Sequence, residues 1–90
     1  MIDIKEFKRT FYVFYNLIKD YKDVLLTTTN FEVEYIDNVY NINIKSYRPG
    51  LIIGKGGKDI EDYNKYIQKE LNIKNFKINL TEENLWSDIF

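Results

Sequence analysis
Apolar residues recur at steps of three and four near the start of the chain and at steps of two in three later stretches. Ile4, Phe7, Phe11, Phe14 and Ile18 form one helical face. Asp3, with Glu6 three positions on, supplies the capping-box start of that helix. Tyr12, Val13, Tyr15 and Leu17 carry apolar surface beyond the stripe. Two readings stay open for this surplus: tyrosines half exposed over a sheet, or aromatic side chains that dock on another chain. Lys19 to Asp23 reads as the charged exit of the helix, Val24 to Leu26 as a further turn or apolar connector, and the threonines with Asn30 as a loop.

Strand periodicity follows. Phe31, Val33 and Tyr35 alternate with Glu32 and Glu34, and Tyr40, Ile42 and Ile44 alternate with Asn41, Asn43 and Lys45. Asp37-Asn38 between them are residue types that adopt left-handed backbone angles, so the two runs predict a hairpin. Pro49 suits the first turn of a short helix over 49–53. A glycine loop ends it, and a longer helix starts near Lys58 or Asp59, burying Ile60, Tyr63, Ile67 and Leu71. Glu61 and Lys65 can pair four apart, and Asn72 can stop the helix. Phe76, Ile78 and Leu80 then alternate with Lys77 and Asn79 as a third strand. In the tail from Thr81 to Phe90, a capping Thr81 and apolar Leu85, Trp86, Ile89 and Phe90 fit a short helix.

Composition narrows the chemistry. Ninety residues, 44% of them hydrophobic, make one small domain with a modest core. With no cysteine and no histidine, disulfides, thiolate or imidazole metal sites and Cys- or His-based catalysis are excluded. No cofactor or metal is implied. The start, with Asp3 and Glu6 close behind Met1, is unlike a secretory signal. The apolar run Phe11–Tyr15 is far too short for a bilayer span, so a membrane partner is not expected. Net charge is −1, which argues against a general polyanion binder. Yet Lys45, Arg48, Lys55 and Lys58 fall in a stretch free of acids, a local basic strip suited to a short contact with nucleic acid. Alanine is absent and Lys, Asn, Ile and Tyr are abundant, as expected for an AT-rich genome: an organelle, a phage or a low-GC bacterium.

The most informative run is Arg48-Pro49-Gly50-Leu51-Ile52-Ile53-Gly54-Lys55-Gly56-Gly57-Lys58-Asp59-Ile60-Glu61. It is not a phosphate-binding P-loop: Gly50 to Gly54 is one residue short, and Gly56 stands where the Mg²⁺-binding hydroxyl belongs. It is not a dinucleotide fingerprint either, because it joins two helices rather than a strand and a helix. Asp59, Glu61 and Asp62 are first-turn acids favoured by the helix dipole, as opposed to an acid-base or metal cluster. No nucleophile, base and orienting group can be assembled, so an enzyme is not expected.

The element order and this run resemble a type II K-homology (KH) domain. They are most similar to the KH half of the small-subunit ribosomal protein three family, over about residues 31–80. That resemblance implies an α+β fold of order helix-strand-strand-helix-GxxG-helix-strand, with a three-stranded mixed sheet and helices packed on one face. Residues 1–30 would be the N-terminal helix and connector, 31–80 the KH core, and 81–90 a tail. Gly54, Lys55, Gly56 and Gly57 would meet the sugar-phosphate chain of about four unpaired nucleotides, with Lys58 and Arg48 flanking. Leu51, Ile53 and Ile60 would offer an apolar floor, and Asn43 or Lys45 would reach base edges. At least two of Ile52, Ile53 and Ile60 are expected to be structural.

The family's N-terminal extension and its basic C-terminal domain have no counterpart in these residues. Gly56 and Lys58 also replace residues that are more often basic and acidic there. The function implied is a non-catalytic RNA-binding ribosomal component, short or split, located on an organellar or cytoplasmic ribosome and not secreted. Its partners would be single-stranded RNA or rRNA, with proteins met through the aromatic first helix and the apolar tail. The alternatives are a free-standing, phage-type regulator of single-stranded RNA or DNA, and a degenerate KH fold that binds only proteins.

Overall fold
The computed structural model describes residues 2–18 and 21–83. Helix α1 runs over Ile4–Ile18 and α2 over Tyr21–Thr27; strands β1 (Thr28–Ile36) and β2 (Val39–Ser46) follow. Then come the single turn α3 (Gly50–Ile53), a 3₁₀ turn over Lys55–Gly57, α4 (Lys58–Leu71) and β3 (Phe76–Glu82). The sheet order is β1-β2-β3, with β1 antiparallel and β3 parallel to the central β2. A parallel neighbour requires a crossover, and α3 and α4 provide it.

Asp37 and Asn38 both take positive φ, 52° and 64°, so the hairpin closes in the two-residue turn that matches strand twist. Register then sorts the side chains. Phe31 faces Ile44 and Val33 faces Ile42 across β1–β2, while Ile78 and Leu80 flank the same two isoleucines from β3. These residues point to the helices. Ile42 and Ile44 are fully buried, and α1 contributes Phe7, Phe11, Phe14 and Tyr15, with Tyr63 and Ile67 from α4 and Ile52 from α3. Alternation sends Glu32, Glu34, Asn41, Asn43, Lys45, Lys77 and Asn79 to the opposite, open face. Asn79 Nδ2 donates to Asn43 Oδ1 (2.9 Å) and Asn43 Nδ2 to Glu34 Oε1 (3.0 Å), a ladder across three strands.

Most predicted elements appear at their predicted places, with informative exceptions. Thr28 to Asn30 are strand, not loop. Their start is irregular, with a register shift between Thr28 and Asn30, and Thr28 Oγ1 donates to the Val24 carbonyl (2.7 Å). Threonine here closes α2 and opens β1, and β-branching suits the second task. Asp23 and Val24–Leu26 belong to a helix of their own, anchored by fully buried Val24. Thr81 lies in β3 opposite Lys45 and caps no helix. The predicted tail helix with Leu85, Trp86, Ile89 and Phe90 lies outside the described residues, as do Lys19 and Asp20.

In α1 the apolar stripe is shorter and wider than its periodicity suggested. Ile4 (36% exposed) and Ile18 (43%) overhang at the two ends. Tyr15 is wholly buried, and Phe11 has ring neighbours in Tyr15, Phe31 and Tyr63 at 4.9–5.7 Å. Of that surplus Tyr15 is therefore core, Tyr12 is half-buried against it, and Val13 and Leu17 stay exposed. Each buried ring contributes about 1.5–3 kcal/mol by area alone.

Candidate nucleic-acid interface
The loop is built from two helices that meet end to start. Pro49, with φ −60°, initiates α3, whose turn is closed by Ile53 N–H to Pro49 O (2.9 Å) and Gly54 N–H to Gly50 O (3.0 Å). Upstream, fully buried Ser46 accepts from Arg48 N–H at its Oγ (3.0 Å), which fixes how the chain leaves β2. Gly54 then adopts φ 79°, ψ 170°, a region open essentially to glycine alone. A side chain there is excluded twice over, because a Cβ would also overlap Asp59, whose own Cβ would lie 2.6 Å away. Gly56 (φ 66°, ψ 17°) and Gly57 (φ 77°, ψ 11°) are left-handed but face open space. The requirement at these two is conformational only.

Two backbone bonds close the loop, Gly57 N–H to Gly54 O (3.1 Å) and Lys58 N–H to Lys55 O. The Lys55 and Gly56 amides take no part in them and sit on the exposed crest. The Lys55 ammonium is exposed beside them. Lys58 is exposed too, but its Nζ is bonded to Asp62 Oδ2 at 2.9 Å, and this hydrogen bond, reinforced by the carboxylate's charge, raises its pKa. Arg48 is exposed at the approach to α3. The crest thus pairs exposed backbone amides with the Lys55 cation and two flanking ones, a chemistry complementary to a phosphate chain.

The structure divides the predicted site residues. Gly54, Lys55, Gly56, Gly57, Lys58 and Arg48 come together at the α3–α4 junction, with Leu51, Ile53 and Ile60 on the same helices. Ile53 is 38% exposed and available, Leu51 and Ile60 are half-buried against the core, and Ile52 is wholly core. Asn43 and Lys45 are not brought to the loop. They lie on the open face of the central strand, with the sheet between them and the helices. In-out alternation puts them there, and the Asn43 amide is engaged in the ladder. The first-turn acids are each accounted for: Asp62 holds Lys58, Glu61 lies 3.9 Å from Lys65, and Asp59 fills the space at Gly54. Among the described residues no three acidic groups are placed to hold a metal, and no helix is long and apolar enough to cross a membrane.

The family model for the KH domain matches residues 12–85. The chain belongs to the KH domain family. As a KH domain it has the type II element order, with the loop between α3 and α4 as its GxxG loop. It is 47% identical over 51 residues to small ribosomal subunit protein uS3 of Acetivibrio thermocellus, covering 57% of this chain and 22% of that protein. With uS3 of Exiguobacterium sp. it shares 41% over 51 residues, 57% of this chain and 23% of the relative. With uS3 of Clostridium botulinum it shares 33% over 75 residues, 74% of this chain and 34% of the relative. The chain thus spans between a fifth and about a third of these relatives' lengths.

Three residues of this region had no signal in the motif. Ser46 continues the inward set Ile42, Ile44 of β2, and that period was the available clue to its burial. Asp59 read only as a dipole-favoured acid, whereas it also packs against Gly54. Tyr15 read as surplus aromatic surface, whereas its hydroxyl donates to the Ile52 carbonyl (2.6 Å) at the foot of the loop.

Proposed function
We propose that this KH domain binds single-stranded RNA across the α3–GxxG–α4 junction and works, without catalysis, as a component of the small ribosomal subunit that contacts rRNA or mRNA. The observation that carries the reading is the loop itself. Three positive-φ glycines and an exposed Lys55 crest stand in a chain that is 47% identical over 51 residues to a uS3 protein. Gly54 and Gly57 let a sugar-phosphate chain approach, the Lys55 and Gly56 amides and the Lys55 ammonium meet phosphate, and Ile53 offers an apolar surface to a base. Arg48 and Lys58 flank. Lys58, tied to Asp62, contributes less than Lys55. Neighbouring proteins in such an assembly would meet the exposed aliphatic residues Leu17, Ile18, Leu25 and Leu26 at the ends of α1 and α2. The relatives named above are bacterial, which favours a bacterial-type ribosome over an organellar one.

Density-gradient fractionation of cells carrying the native protein tests this reading. Co-sedimentation with small subunits is expected, and a protein found only in ribosome-free fractions overturns it. Loss of oligonucleotide binding on replacing Lys55 and Gly56 by aspartate, combined with ribosome-free sedimentation, would instead identify a free-standing single-strand binder.

A further inference from the structure
The carbonyl of Ile52 poses a local problem. In a continuing helix it would accept from the amide four residues on, at Gly56, but the chain turns out of helical conformation at Gly54. A buried carbonyl left without a donor is unfavourable. Here the donor comes from α1. Tyr15 Oη lies 2.6 Å from the Ile52 oxygen, both groups buried, across 37 residues of sequence. The phenol is fully enclosed, and burial first, then Tyr63 and Asp59, pushes its pKa well up, so it stays a donor at any physiological pH.

We infer that Tyr15 is a positioning residue for the GxxG loop: its hydroxyl fixes the last turn of α3, and with it the angle at which Gly54–Gly57 is presented to RNA. The inference rests on the RNA-binding reading of that loop. The geometry is a clamp. From the core side, the Tyr15 hydroxyl holds the carbonyl two residues before Gly54. From the α4 side, the Asp59 side chain occupies the space where a Gly54 Cβ would be. Between these two points the chain makes its glycine-only turn, so a shift at Ile52 is transmitted to the Lys55 and Gly56 amides within a few residues. The Tyr15 ring is held independently by Phe11 (4.9 Å) and Tyr63 (5.6 Å), so the hydroxyl can be removed without emptying the core.

Tyr63 supplies an internal control. Its hydroxyl is also buried and bonded, at 3.4 Å to Thr10 Oγ1 and 3.5 Å to the Phe7 carbonyl, but both partners are on α1 and neither is on α3 or the loop. Y15F and Y63F each delete one buried hydroxyl from the same aromatic cluster. The experiment compares both in the full chain, measuring thermal stability, affinity for a labelled eight-nucleotide oligouridylate, and hydrogen exchange at the bonded Gly54 and Gly57 amides. Both variants are expected to stay folded with lowered melting temperatures. Y15F alone should weaken binding, by roughly tenfold, and alone should speed exchange at the loop amides. Equal affinities and unchanged loop exchange in Y15F and wild type would overturn the inference. If the wild-type chain binds no RNA, the RNA-binding reading fails while loop exchange still decides the positioning role.

Discussion
The two sides of the β2 strand end in opposite fates. Its inward residues lead through Ser46 and Arg48 into α3 and the GxxG loop, where backbone angles are extreme and amides reach the surface. Its outward residues, Asn41, Asn43 and Lys45, lie on an open face where Asn43 bonds sideways to Glu34 and Asn79. Along the sequence Lys45, Arg48, Lys55 and Lys58 form one basic strip. In the fold the strip is cut, because one residue of register sends Lys45 through the sheet. Charge proximity in sequence is not charge proximity in space, and the period-2 rule says where the break falls.

Substitutions on the two sides should therefore behave differently. The largest effect is expected at Gly54. Gly54→Ala meets both a glycine-only backbone region and the Asp59 side chain, and should destabilise by about 3 kcal/mol. Calorimetry should show a melting temperature lower by at least about 10 °C, with binding lost. Next comes the paired change Lys55→Asp and Gly56→Asp. Aspartate tolerates the left-handed angles at 56 for about 1 kcal/mol, so the domain should remain folded by circular dichroism. Its affinity for a short single-stranded RNA should fall by at least about tenfold.

Smaller still is Lys55→Gln, which should lower the slope of log affinity against log salt by about one, whereas Lys45→Gln should leave that slope unchanged. Asn43→Ala should produce the smallest binding effect. It costs about 1 kcal/mol of stability through the broken ladder yet leaves RNA affinity within about twofold. A salt slope that responds to Lys45 as strongly as to Lys55 would erase the contrast between the two faces.

Much of the fold was legible in the sequence, but the contrast between the two faces of β2 was not. The hairpin turn at Asp37-Asn38, the α3–loop–α4 junction, the Asn72 stop and the third strand follow from turn chemistry, glycine spacing and period, whereas the mixed sheet followed only from the family resemblance. The Asn72 stop shows the expected left-handed angles, φ 53° and ψ 45°. What was not legible depended on three-dimensional partners. Threonines 28 and 29 carry no alternating pattern, because their strand begins at an irregular pairing beside the end of α2. Tyr15 looks in sequence much like Tyr12 three residues before it, yet Tyr15 is wholly buried and its hydroxyl donates to the Ile52 carbonyl. Asn43 looked ready for a base edge because nothing in a linear pattern announces a neighbour from β3.

The most direct test of the account is an NMR titration of the isotopically labelled chain with a short unstructured RNA. Shifts concentrated from Arg48 to Asp62, largest at Lys55 and Gly56, with Glu34, Asn43 and Asn79 unmoved, are the result predicted. Shifts centred on the open sheet face, with Gly54–Gly57 silent, would contradict the claim that this loop is where the domain meets RNA.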